Sequence, residues 1–169
     1  LNMKFGIFYV SGNIDYQRTF MKPDKIVTIS YKLDRTPTTR ENVNNVDGFL
    51  NYTSYRQKSM NDASGTEHTF QVDYYDPVTK MHQLETGLKY ILRRNLSNTD
   101  TYWFDKVSGK WNFDQARINN LDYNQHVIGF YAGYVIKIKK VTLKTGLRGE
   151  GTINDGLFRS ATDTSFTNK

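Results

Sequence analysis

Apolar and polar residues alternate strictly in six windows of this chain, the signature of strands with one greasy face and one wet face. In 13–20, Ile14, Tyr16 and Phe20 oppose Asp15, Gln17 and Thr19, with Arg18 the exception. Residues 26–34 set Val27, Ile29, Tyr31 and Leu33 against Thr28, Ser30, Lys32 and Asp34. Residues 67–75 set Phe70, Val72 and Tyr74 against Thr69, Gln71 and Asp73. In 82–93, Leu84, Thr86, Leu88, Tyr90 and Leu92 face away from Gln83, Glu85, Lys89 and Arg93. Residues 123–139 carry Ile128, Phe130, Ala132, Tyr134, Ile136 and Ile138 on one face; the other, with Gly129, Tyr131 and Gly133, is less clearly polar. Residues 141–152 oppose Val141, Leu143, Thr145 and Leu147 to Lys144, Arg148 and Glu150. Helical spacing is absent from these windows, so the pattern predicts an all-β, antiparallel meander of about six long strands.

The connections alternate in length. Short turns are predicted at 21–25, around Asp76-Pro77, and at 138–140. The intervening stretches are long and polar. The chain therefore divides into a hairpin at 13–35, a long extracellular-type loop at 36–66, a hairpin at 67–94, a long loop at 95–122, a hairpin at 123–153 and the start of a further loop at 154–169. Each long loop holds extra strand material: 49–55 in the first, and in the second a hairpin over 101–114 turning at Ser108-Gly109. Tight turns at one end and long loops at the other match the layout of an outer-membrane barrel.

Composition sharpens this. Only 37% of residues are hydrophobic, yet aromatics reach 14%, with twelve Tyr and ten Phe. Disordered chains are polar but poor in aromatics. A sheet with one buried and one wetted face fits both numbers. The net charge of +6 is scattered, without runs beyond pairs such as Arg93-Arg94 and Lys139-Lys140, so nucleic acid is not an expected partner. There is no Cys, which excludes disulfides. No segment approaches the ~20 apolar residues of a spanning helix. No signal peptide is visible, and the chain enters the apolar stretch 5–10 almost at once, reading as a piece of something longer.

Alternation alone also fits a soluble sandwich. Two features favour a membrane barrel. The window 82–93 and the two around Lys139 reach the ~9–11 residues a spanning strand needs, against ~5–6 in soluble domains. Phe20, Tyr31, Tyr74 and Tyr90 fall toward the ends of the apolar faces, as an interfacial girdle requires. The polar face would then line a lumen, carrying Asp73, Glu85, Lys89, Arg93, Lys144, Arg148 and Glu150.

Several of these windows resemble a known family. Residues 67–74 read Glu-His-Thr-Phe-Gln-Val-Asp-Tyr, followed by Asp76, Pro77 and Lys80, and 82–95 read His-Gln-Leu-Glu-Thr-Gly-Leu-Lys-Tyr-Ile-Leu-Arg-Arg-Asn. Residues 131–134, Tyr-Ala-Gly-Tyr, and 144–148, Lys-Thr-Gly-Leu-Arg, read as the next hairpin. Over 13–153 the chain resembles the outer-membrane β-barrel family common in Bacteroidetes, proteins like TonB-dependent receptors. That family often reads Gly-Leu-Arg-Tyr-Glu where Gly149 here precedes Glu150, so the usual aromatic is missing. The resemblance implies a parent protein in the bacterial outer membrane, held in lipid, with a plug domain and a TonB-type energy-coupling protein as partners and an unknown imported ligand. Neither a plug nor a TonB-box-like leader is visible in these residues. Six long strands are fewer than the ~8 of a closed single-chain barrel. The expectation is therefore a partial segment of a transmembrane β-barrel, not itself a pore, which in isolation would self-associate to hide its edges and apolar surface.

Candidate chemistry is sparse. His68, His82 and His126 lie at the ends of separate strands without ligand spacing, so polar strand ends explain them better than a metal site. The stretch 146–151 resembles a phosphate loop but lacks both the spacing and a strand-to-helix context. No nucleophile elbow accompanies Asp73, Glu85 or Glu150, so no enzyme, cofactor or catalytic residue is predicted. Asn51 and Asn95 open glycosylation triplets that a bacterial location makes accidental. Tyr102, Trp103, Phe104, Trp111 and Phe113 form an aromatic cluster in the second loop, a candidate surface for a ligand or partner. The expected function is a non-catalytic part of an outer-membrane transport barrel. The alternative is a soluble secreted β-sandwich binding carbohydrate or protein through the aromatic loop.

Overall fold

The computed structural model describes residues 2–48, 53–160 and 164–168. They form one antiparallel sheet of nine strands: β1 (Asn2–Ile7), β2 (Val10–Thr19), β3 (Ile26–Val46), β4 (Tyr55–Asp76), β5 (His82–Asp105), β6 (Lys110–Phe113), β7 (Asn119–Ile138), β8 (Val141–Arg159) and β9 (Thr164–Asn168). A single 3-10 turn, Gln115–Arg117, interrupts the strands.

β1 and β2 are two parts of one edge strand. Ile7 pairs Thr38 and Val10 pairs Arg35, so the register carries straight through Phe8 and Tyr9. The gap falls opposite Pro37. Phe8 N–H donates to Pro37 O at 3.1 Å, and in an antiparallel ladder the returning bond comes from that residue's own N–H, which proline lacks. Counting this strand once, six long strands run side by side: β1/β2, β3, β4, β5, β7 and β8. β9 begins a seventh.

These strands are far longer than the alternating windows. β3, β4, β5, β7 and β8 have 21, 22, 24, 20 and 19 residues. Most of 36–66, expected as a loop, is strand: β3 and β4 stay paired up to Val46 opposite Tyr55. The candidate strand at 49–55 lies outside the described residues except for its end, where Tyr55 opens β4. Most of 95–122 is strand too, since β5 runs to Asp105 and pairs β7 up to Thr99 opposite Asn119. The start of the loop expected at 154–169 is the top of β8 with β9 paired on it. The reason is that alternation reveals a strand only where its two faces meet different surroundings. In 36–46, Thr, Asn, Arg and Glu occupy both faces, which marks two wet faces.

The short turns match expectation. β2 and β3 join through 20–25, where Asp24 takes φ +59°. β4 and β5 join after Asp76. β7 and β8 join through Lys139 and Lys140 alone, with Lys139 at φ +54°, the left-handed conformation such a tight hairpin demands.

Among the described residues the backbones of strands come close only between hydrogen-bonded neighbours, so no second layer covers either face and the two edges do not meet. This sets aside the sandwich: among the described residues only Val127 and Val135 are buried apolar side chains. One face instead exposes large apolar groups, including Phe70, Leu88, Ile128, Phe130, Leu143 and Leu147. Cross-strand partners share a face. Following the registers, Tyr31–Phe70–Tyr90–Ile128 and Ile29–Val72–Leu88–Phe130 form successive rows of that apolar face.

The apolar band also slides along the sheet. The centre of the β3 run, at Ser30, falls opposite Gln71 and then Lys89, whereas the centre of the β8 run, at Lys144, falls opposite Val135 and then Gln83. That is a drift of six residues of β5, from Lys89 to Gln83, over four strand steps. At ~3.3 Å per residue and ~4.8 Å per strand step, the strands cross the band at about 45°, close to the tilt of spanning barrel strands.

Candidate functional site

The faces of this wall carry different chemistry. On the apolar face, aromatic and imidazole rings mark both borders of the band. Tyr31 OH lies 2.9 Å from His68 Nδ1, and Tyr90 OH lies 2.7 Å from His126 Nδ1, with Phe70 between the two tyrosines. At the turn end, Tyr134 OH lies 3.1 Å from His82 Nδ1. Nearby, the Lys25 ammonium sits over the Phe20 and Tyr74 rings, and the Arg18 guanidinium sits over Phe20. Arg18, the exception to alternation, thus points to the apolar face at its rim. All three histidines are ring-to-ring partners of tyrosines on this face. From His82 to Leu92 the band measures about 33 Å along the strand, or about 23 Å in height at that tilt.

The seven charged residues singled out from the sequence share the opposite face. Asp73, Glu85, Lys89, Arg93, Lys144, Arg148 and Glu150 all have the parity of the polar rows. The structure joins most of them to partners. Arg93 pairs with Glu67 and donates to Gln125 at 2.8 Å; Gln125 donates to Asn154 at 3.0 Å, and Tyr123 also donates to Asn154 at 2.8 Å. On the same row, Asp34 accepts from Tyr9 at 2.6 Å and pairs with Lys32 at 2.8 Å. A polar belt thus runs across the six long strands. Arg148 pairs with Glu150 at 2.9 Å. Lys89 has no ion pair among the described residues and stands in a concavity of about 450 Å³ with Gln71, Arg93, Tyr131 and Arg148.

Two further links bridge strands that are not neighbours, the first over a glycine. Tyr131 of β7 lies across Gly87 of β5 and donates to Asp73 of β4 at 2.8 Å. A Cβ on Gly87 would sit 2.4 Å from the Tyr131 ring, so only glycine leaves the passage. Lys144 of β8, level with Val135 of β7, reaches past that strand to Glu85 of β5 at 2.7 Å. Tyr131 therefore belongs to the polar face, which explains why that face read ambiguously. On the other face the Phe130 ring covers Gly149, where a Cβ would meet it at 2.4 Å. The aromatic missing from β8 is supplied from across the ladder.

The predicted hairpin beyond the band exists, as β5 and β6 with Gly109 at φ +68°, but its aromatics do not form one cluster. Tyr102 packs on Phe113 with centroids 5.5 Å apart, and Phe104 on Trp111 at 5.3 Å, all with the parity of the apolar face. Lys58 and Arg56 complete that group, each 5.2 Å from the Trp111 centroid. Trp103, between Tyr102 and Phe104, must point the other way because side chains alternate. It stands opposite Gln57 on the polar face, with Tyr55, Asp105, Asp114 and Arg117 around a concavity of about 600 Å³. Asp105 closes the turn, accepting from Ser108 Oγ at 2.7 Å and Val107 N–H at 2.9 Å, with the Ser108 bond the larger influence holding its carboxyl below the usual range. Tyr55, Gln57 and Arg117 were not found from the sequence; only pairing of β4 with β5 brings the first two to Trp103.

The profile of the outer membrane protein beta-barrel family matches residues 18–169 of the chain. No curated protein matches it.

Proposed function

Because the chain belongs to the outer membrane protein beta-barrel family and so to the bacterial outer membrane, we propose that it is a non-catalytic wall segment of a transport barrel of the TonB-dependent receptor kind. In this reading the apolar face meets lipid and the polar face lines an aqueous lumen filled by a plug domain. The open edges at β1/β2 and at β8/β9 are closed by further barrel strands. A backbone edge bare in lipid would leave costly unpaired N–H and C=O groups.

The observation that carries the reading is the pairing of a tilted lipid band with a polar face whose charges largely compensate one another. A lumen wall that must contact a movable plug needs hydrogen-bonding groups without a large net field, and Arg93–Glu67, Lys144–Glu85 and Arg148–Glu150 supply them. The charged Lys89, Arg93 and Arg148 around one concavity would be plug contacts. Outer-membrane lipid, the plug, an inner-membrane energy-coupling protein and an imported ligand are the proposed partners. This open sheet, expressed alone, would self-associate.

The test is uptake by cells producing the intact protein, with and without the TonB-type coupling protein. Uptake should vanish when coupling is removed and should be impaired by charge reversal at Lys89. Uptake that persists without coupling would refute energy-dependent transport and leave a passive barrel.

A further inference from the structure

Trp103 is set apart from every other aromatic of its hairpin. Four rings and two cations satisfy one another on one face, while Trp103 faces the opposite side with 47% of its surface exposed. Among the described residues no ring or cation stacks on it. Tyr55, 52% exposed, occupies the same face of β4 two residues before Gln57, the direct partner of Trp103. Beside them Arg117 donates to Gln57 Oε1 at 3.2 Å and pairs with Asp114 at 3.3 Å. Two bare rings thus flank a small set of planar polar groups of both signs.

We propose that this concavity binds a neutral carbohydrate, with a sugar ring stacked on Trp103 and flanked by Tyr55, and its hydroxyls bonded by Gln57, Arg117 and Asp114. The C–H groups on one face of a pyranose carry slight positive charge and suit the negative face of an indole. The rim of the same ring presents hydroxyls, each donor and acceptor, which match an amide, a guanidinium and a carboxylate together. A wholly apolar ligand would strip water from those three groups without replacing their hydrogen bonds. A strongly charged ligand would meet both signs. A space of about 600 Å³ suits a short oligosaccharide segment.

The site lies on the polar face beyond the lipid band, where an entering solute would first meet the wall. Its role as an entry point rests on the transport reading; its chemistry does not. Binding of malto-, cello-, xylo- and fructo-oligosaccharides to the intact detergent-solubilised protein should be followed by calorimetry and tryptophan fluorescence, with adenosine monophosphate as a nucleobase control. At least one oligosaccharide should bind. Trp103→Ala should weaken it about tenfold or more, and Tyr55→Ala less. Trp103→Phe should retain most affinity, and Trp111→Phe should leave it unchanged. No oligosaccharide binding, binding indifferent to Trp103→Ala, or preference for the nucleotide would overturn the proposal. Coupling-dependent uptake of some other solute by a protein that binds no sugar would sink this site alone. Sugar binding lost in Trp103→Ala, in a barrel that transports without coupling, would sink the transport reading alone.

Discussion

Below the Tyr31–Phe70–Tyr90 stripe the strands have two unlike faces; above it the same strands have two faces that are nearly alike. In the lower half Leu88 and Lys89 are adjacent in sequence and face opposite surroundings. In the upper half Thr38 and Thr39 of β3 are equally polar. In the proposed reading the lower half is held by the demand that lipid makes on one face, and staples crossing strands hold the other. The upper half has no lipid to lean on and is held by its own cross-strand pairs. Asn61 donates to Ser97 and Thr99 at 2.8 and 2.7 Å, Arg94 pairs with Asp122 at 2.9 Å, and the aromatic hairpin closes the end with its two cations. One ladder thus serves two solvents. The backbone is continuous while the side-chain rules change.

The contrast is broken most severely by charge. In the intact protein, Leu88→Arg places a guanidinium near the middle of the lipid band and should cost about 2–4 kcal/mol of folding free energy in vesicles. Asn98→Arg, on the same face of β5 but beyond the band, should cost close to nothing. Denaturant unfolding in lipid vesicles compares them, and equal costs would mean that the band has been misplaced.

A milder break comes from glycine. Gly87→Ala drives a methyl into the Tyr131 ring and should cost about 1–3 kcal/mol while displacing the tyrosine from Asp73. Gly65→Ala, at the foot of the upper half, meets only the side-chain oxygen of Asn95 at 3.2 Å, which can swing aside. Its effect should be within about 0.5 kcal/mol. Unfolding midpoints check the pair, and the Tyr131 environment can be read by ultraviolet absorbance.

The smallest effect is one of pH at the hairpin tip. Asp105 is held below its ordinary value by Ser108 Oγ and then by Val107 N–H, so its contribution is fully present above the unfolded value of 3.8. It is lost as pH falls through the lower, folded value. Amide protection at 105–109, taken relative to the intrinsic exchange rate at each pH, should therefore fall on acidification below 3.8, while protection at 84–92 in the band holds. Asp105→Asn should remove the difference in protection between neutral and acid pH.

Much of the lower half was legible in the sequence, because two surroundings imprint a period of two on the residues between them. The parity of Leu84, Leu88 and Leu92 against Glu85, Lys89 and Arg93 survives unchanged in the sheet. So do the short turns and the antiparallel order. The upper half was hidden for the same reason in reverse: where both faces are wet, a strand such as 36–46 looks like a loop. The aromatic hairpin shows the limit most plainly, since five neighbouring rings read as one cluster until alternation sends Trp103 to the other side.

What the amino-acid order determined by itself was local: which residues extend, which face each takes, and where the chain turns back. Those follow from backbone sterics and from the one-residue alternation of side chains. What only the tertiary structure decided was register between strands, and everything that register assembles. It set Tyr131 across Gly87 to Asp73, Lys144 within reach of Glu85 two strands away, and Gln57 opposite Trp103, because each depends on residues dozens of positions apart being brought level by the ladder.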